Sequence, residues 1–168
     1  MKQTKWFFII IISLVLIYFI LSTVASFYVN SHNGAYMFES IEECQKIYDL
    51  DYANTVITTY DTTDDDNSIK DLSYTSFFGA NFKSDEISFE IFAYEFLGEE
   101  DAQLYYQNVS GKSGGINPRY SSSGGFFNRK IVVVYDNKAY LIRTSLLDEL
   151  ELSHALSEVF SIRVDWIK

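Results

Sequence analysis

LSYTSFFGANFKSDEISFEIFAYEF, residues 72–96, decides how this chain folds. It consists of two long alternating runs, Leu72 to Lys83 and Glu86 to Phe96, separated only by Ser84-Asp85, which is the pattern of a β-hairpin. In the second run Ile87, Phe89, Ile91 and Ala93 point one way while Glu86, Ser88 and Glu90 point the other, so one side of the sheet is core. Farther along, Phe92, Tyr94 and Phe96 replace the polar residues on the outer side. Rings on an otherwise polar sheet face are the anchors that interfaces use, which makes these three the binding candidates. The competing reading is a second small core beneath a covering segment.

Outward from this hairpin the punctuation places most other elements. Asn54 to Tyr60 is β-branched and alternating, hence a strand. Before it, Ser40-Ile41-Glu42-Glu43 has the form of a capping box opening a helix that ends near Leu50, with Ile41, Cys44, Ile47 and Tyr48 on one face. Gly98 to Ser110 carries Ala102, Tyr105, Tyr106 and Val109 at helical spacing, acidic residues in its first turn and Gly111 just past its end. A loop rich in glycine and serine, Gly111 to Gly125, follows and holds the only proline, Pro118. Phe126 to Tyr135 and Ala139 to Arg143 form a second hairpin around Asp136-Asn137-Lys138. A last helix begins near Leu147 and buries Leu152, Ala155, Leu156 and Val159, capped by Ser145 or Asp148. The expected fold is α+β, a single antiparallel sheet of about five strands with helices packed on one face, behind an N-terminal transmembrane helix.

That N-terminal segment is an almost unbroken apolar run. Trp6 to Tyr28 is 23 residues, about 35 Å as a helix against about 30 Å of hydrocarbon. Trp6 and Tyr28 sit where amphipathic rings favour the headgroup boundary, and Lys2 and Lys5 flank the first end with no Lys or Arg following until Lys46. The asymmetry predicts a cytoplasmic N-terminus and an extracytoplasmic remainder. The organisation is then a stub and anchor over 1–28, a juxtamembrane spacer over 29–39 and an α+β domain over 40–168. Thr23-Val24-Ala25 also matches a signal-peptidase site, so the alternative is a cleaved signal peptide and a secreted domain.

Charge bounds the partners. With Lys2 and Lys5 set aside, 11 basic residues face 23 acidic ones, a net charge of −12 beyond the anchor. Nucleic acid is a poor partner for such a domain, whereas membrane lipid is the partner of the N-terminal helix and a protein or envelope component suits the domain. One cysteine, Cys44, allows no intramolecular disulfide, and its place on an apolar helix face makes it a small buried hydrophobe.

Few motifs carry chemistry. Asp61, Asp64, Asp65 and Asp66 form the densest acidic cluster and are the only candidates for a calcium site, but the EF-hand pattern has Ile69 where its glycine belongs and Thr75 where its glutamate belongs. No other cofactor is implied. Gly111-Lys112-Ser113 ends a helix, where a P-loop would open one. His32 and His154 read as solvated, and Glu90 and Glu95 differ by an odd number, which puts them on opposite faces of a strand. Asn108-Val109-Ser110 is a glycosylation sequon at a helix end. The sequence thus favours a membrane-anchored binding or accessory module without enzymatic activity, over a small hydrolase using carboxylates or a structural subunit of a membrane complex.

Overall fold

The computed structural model describes residues 2–32, 35–60, 67–112 and 119–164. The chain divides into two compact units, Met1–His32 and Asn33–Lys168. The first is helix α1, Lys2–His32, which runs beyond the expected end at Tyr28. Its stretch Lys5–Ala25 is long and apolar enough to cross a membrane, with mean hydropathy 2.9. Trp6 and most of the apolar side chains after it are exposed.

The second unit is built on a six-stranded antiparallel sheet. Its strands are β2 (Val56–Tyr60), β3 (Tyr74–Lys83), β4 (Ser88–Phe96), β5 (Arg119–Gly124), β6 (Arg129–Tyr135) and β7 (Lys138–Thr144), in the order β2-β3-β4-β7-β6-β5. Two three-stranded meanders therefore lie side by side, joined through β4 and β7. A separate two-stranded ribbon pairs β1 (Ala35–Met37) with β8 (Ile162–Val164). Met37 and Phe38 are fully buried, so residues expected as spacer belong to the domain.

The expectation of helices on one face is corrected. Helix α3, Asp148–Val159, and a 3-10 helix over Ile41–Asp49 cover one side of the sheet, where Phe82, Phe89, Ile91, Val133, Tyr140 and Ile142 meet Cys44, Ile47, Leu152, Leu156 and Phe160. Helix α2, Glu99–Ser110, covers the other side, where Tyr105 and Tyr106 pack on Phe92, Tyr94, Phe96, Val132, Val134 and Leu141. The physical reason lies in the outward-facing rings of β4, since Ile91 to Tyr94 are apolar on both faces and both must leave water.

Local chemistry explains the element ends. Gly111 terminates α2 in the left-handed region at φ 67°, its N–H donating to Gln107 O at 2.8 Å. Ser145 Oγ accepts from Asp148 N at 3.1 Å and so caps the start of α3. The capping box at Ser40 is not formed, because the Glu43 carboxylate is drawn inward to accept from Glu39 N and from the Ser161 hydroxyl, and the segment winds as 3-10. Burial alone would raise the pKa of Glu43, but those two donors together with Lys46 hold it below the usual carboxylate value.

Candidate functional site

The two faces of the sheet are covered unequally. A 12-residue helix is about 18 Å long, whereas six strands spaced about 4.8 Å apart span about 24 Å across and a nine-residue strand is about 30 Å long. Helix α2 shields the end of its face where β4 finishes and leaves the end where β4 begins open. Directly opposed residues share a face, so the register can be followed from strand to strand. Thr58 pairs with Asn81, Asn81 with Glu90, Glu90 with Arg143, Arg143 with Lys130 and Lys130 with Ser123. One polar row thus crosses all six strands, and every member is exposed or half-buried.

Aromatic rings border the row on its α2 side. Tyr60 and Phe92 belong to strands that flank β3, yet their rings stack at 5.4 Å, because the residue between them is Gly79. A Cβ there would stand 2.5 Å from the ring of Phe77 and 3.2 Å from Tyr60 Cβ. The Tyr60 hydroxyl donates to Glu90 Oε1 at 3.0 Å, and Arg143 Nη1 approaches Glu90 Oε2 at 3.5 Å. The guanidinium carbon lies 5.0 Å from the Phe92 ring centroid, within cation–π range. Burial, followed by the bond to Glu90, raises the Tyr60 pKa and keeps this hydroxyl a donor. Tyr60, Glu90, Arg143 and Phe92 therefore hold one another in place, while Arg143 Nε is buried without a hydrogen-bond partner.

Two hollows adjoin this group and share Asn81. One, of about 400 Å³, is lined by Asn81, Ser88, Glu90, Phe127, Asn128, Arg143 and Asp148 among others. The second, of about 300 Å³, is lined by Asn54, Val56, Thr58, Asn81, Lys83, Ser84 and Asp85. Phe127, at the turn between β5 and β6, is 79% exposed beside the first. An exposed aromatic, a braced arginine and a polar row suit recognition of a polypeptide surface.

A second polar group is sealed inside the opposite face. Arg129 Nε donates to Glu149 Oε2 at 2.9 Å, and the two side chains are 5% and 1% exposed. Arg129 Nη2 also donates to Ser122 Oγ at 2.7 Å, which in turn donates to Glu149 Oε1 at 3.0 Å. Burial, then the Glu149 charge, raises the pKa of Tyr120 nearby. No solvent path is needed to explain this cluster: it ties the β5–β6 hairpin to the first turn of α3.

The residues singled out from sequence fall in different places. Phe92, Tyr94 and Phe96 do not form an open patch, being 5%, 0% and 0% exposed beneath α2. Burying such a ring contributes roughly 1.5–3 kcal/mol, so exposing all three would consume most of a domain's usual 5–15 kcal/mol. Phe92 alone touches the open half, through Tyr60 and Arg143. Asp61, Asp64, Asp65 and Asp66 lie outside the described residues. Among the described residues no three His, Cys, Asp or Glu side chains converge as a metal site would require. Tyr28 lies within α1, as does Trp6. His154 is exposed, and the Asn108 amide donates to Ser68 O at 2.9 Å. Glu90 and Glu95 sit at positions of opposite parity on β4, Glu90 in the polar row. The open row escaped the sequence reading because its members come from six strands; the one local signal was the polar Ser88 and Glu90 ahead of Phe92.

Comparison of the chain with protein-family models, with curated proteins and with solved structures finds no match.

Proposed function

We propose that this chain is a membrane-anchored binding module, whose N-terminal helix stays in the bilayer with the N-terminus cytoplasmic and whose α+β domain engages a protein partner outside. The observation that carries the reading is the uncovered half of the sheet, where Phe127 and the row through Asn81, Glu90 and Arg143 reach solvent beside two hollows. Lys2 and Lys5 before the apolar run support the orientation. The mechanism is presentation and contact: Phe127 supplies apolar area, and the braced Arg143 and Asn81 supply directional donors.

The test is a crosslinked capture of the full-length protein from its own membranes, with protease accessibility recorded on the same intact cells. A partner captured by the wild type and lost with Phe127→Ala or Arg143→Ala, at unchanged near-UV circular dichroism, supports the reading. Equal capture by both variants removes this face from the proposal, and a shortened protein in the medium replaces the anchor with a cleaved signal peptide.

A further inference from the structure

Strands β2 and β5 are the two edges of the six-stranded sheet, and the chain treats them differently. On β5 other side chains reach the edge: the Tyr106 hydroxyl donates to Tyr120 O at 3.1 Å, and Lys112 Nζ donates to Ser121 Oγ at 3.0 Å. Arg119 also places a charge at the start of that strand. On β2 nothing comparable is found. Among the described residues only β3 bonds to the backbone of Val56–Tyr60. Thr58 and Thr59 are exposed, and Val56 is 63% exposed. Sheet edges are ordinarily blunted by lysine, by proline or by a bulge, and β2 contains none of these.

We infer that the occupant of the β2 edge is β2 of a second copy of this chain, paired antiparallel about a two-fold axis that passes through Thr58 normal to the sheet. The backbone N–H and C=O groups aimed away from β3 select an extended polypeptide strand, which presents acceptors and donors at the same repeat. The five residues are their own complement. In this register Thr58 faces Thr58, Ile57 faces Thr59 and Val56 faces Tyr60 of the second copy, and such β-branched and aromatic pairs stabilise antiparallel ladders. No charged side chain enters the pairing. In a domain of net −12 an uncharged edge is where two copies approach with least repulsion. The polar row that begins at Thr58 then continues through the axis into the row of the second copy, which joins the two open half-faces into one surface. A five-residue ladder is weak alone, and copies anchored in one bilayer meet at a raised effective concentration. This contact uses neither Phe127 nor Arg143 and stands whatever binds at those residues.

The experiment places the full-length protein in phosphatidylcholine vesicles and oxidises cysteine variants with copper phenanthroline, the native Cys44 being fully buried. Residues opposed at the axis have Cα atoms about 4.5–5.5 Å apart, within disulfide reach. Val56 lies four residue steps from its own mate, about 14 Å, and serves as an exposed control. Thr58→Cys should form a covalent dimer about tenfold faster than Val56→Cys, or than Ser123→Cys on the opposite edge. Adding Thr59→Lys to Thr58→Cys should slow the reaction severalfold, since a charge would then face Ile57. Raising NaCl from about 20 to about 300 mM should speed it, because salt screens the repulsion between two acidic domains and leaves an uncharged ladder intact. Every altered side chain is exposed, and near-UV circular dichroism checks that the fold is kept.

Equal rates for Thr58→Cys and Val56→Cys, or a faster rate for Ser123→Cys, overturn the inference. So does slowing by salt, which would mean that ion pairs hold the copies together. A benzophenone maleimide carried by Thr58→Cys that marks a different protein in native membranes, with no homodimer, assigns the edge to a foreign strand and overturns the second copy.

Discussion

Replacing Glu149 by Ala removes the carboxylate from a site where Arg129 is almost wholly desolvated, with side-chain exposures of 1% and 5% for the pair. Three guanidinium nitrogens are engaged in the native state, by Glu149, Ser122 and Gly124 O, and only the first supplies compensating charge. Leaving a buried cation unpaired costs about 3–5 kcal/mol, against a usual total of about 5–15. With a urea dependence of about 2 kcal/mol per molar, the unfolding midpoint should fall by about 2 M. The assay is urea unfolding of the full chain in nondenaturing detergent, followed by near-UV circular dichroism. Arg129→Met combined with Glu149→Leu should recover most of the loss, because an apolar pair of similar volume carries no desolvation penalty. A single-variant cost below about 1 kcal/mol would refute the reasoning, since it would place the pair in the range of solvated ion pairs. A double variant as unstable as Glu149→Ala would show that shape, not charge, is what the site requires.

Gly124 stands at φ 115°, and a Cβ there would lie 2.0 Å from Asn128 O, so Gly124→Ala should cost about 1–3 kcal/mol and speed amide exchange over 125–128, with unchanged exchange refuting it. Burial, and after it the hydrogen bond to Glu151, pushes the Tyr52 pKa from 10.0 up to about 12. A proton held more tightly by the folded state stabilises it fully below about pH 10, and that contribution is lost as pH rises through about 12. Urea midpoints should fall less steeply over this window in Tyr52→Phe, and parallel slopes would refute the assignment. Cys44 is fully buried and its thiol pKa is pushed up by burial, so a thiol reagent should label it only in urea, and rapid native labelling would contradict the packing.

Elements with their own periodicity were legible in the sequence. The hairpin of β3 and β4, the helices α2 and α3 and the apolar span of α1 appear close to where pattern and caps place them. Strand β5 does not announce itself, because Arg119-Tyr-Ser-Ser-Ser-Gly124 contains no β-branched residue and becomes a strand only by pairing with Val132, Val133 and Val134 on β6. The ribbon of β1 and β8 joins Ala35 to Val164 across the domain, and three residues on each side carry no usable period. The site suffers from the same non-locality. Arg143 meets Glu90 from 53 positions away, and the ion pair of Arg129 with Glu149 bridges a hairpin and a helix. The aromatic half of β4 was visible as a face that must be covered or left open, and which alternative holds depends on where α2 returns.

The open half-face is the vacated position in a nearly symmetric arrangement. In the order β2-β3-β4-β7-β6-β5 each meander is followed by a helix, and the antiparallel pairing of β4 with β7 relates the two meanders by a pseudo-two-fold axis normal to the sheet. The pair Phe92 and Leu141 lies on that axis, so the row of Tyr94 and Ala139 beneath α2 has the row of Arg143 and Glu90 as its counterpart. Strict symmetry would keep both helices on one face and set α3 over Arg143 and Glu90. Instead α3 packs on the opposite face with the 3-10 segment, where Leu152, Ala155 and Leu156 complete the larger core. Residues at the symmetric positions differ in polarity accordingly: Tyr94 and Ala139 are fully buried, and Arg143 and Glu90 are charged and half-buried. A sheet that gains a fully covered core on one side by moving a helix leaves half of the other side wet. In this chain that half holds Lys83, Lys130 and Arg143 around a braced aromatic wall, so departure from symmetry in the fold is what creates the surface proposed to bind.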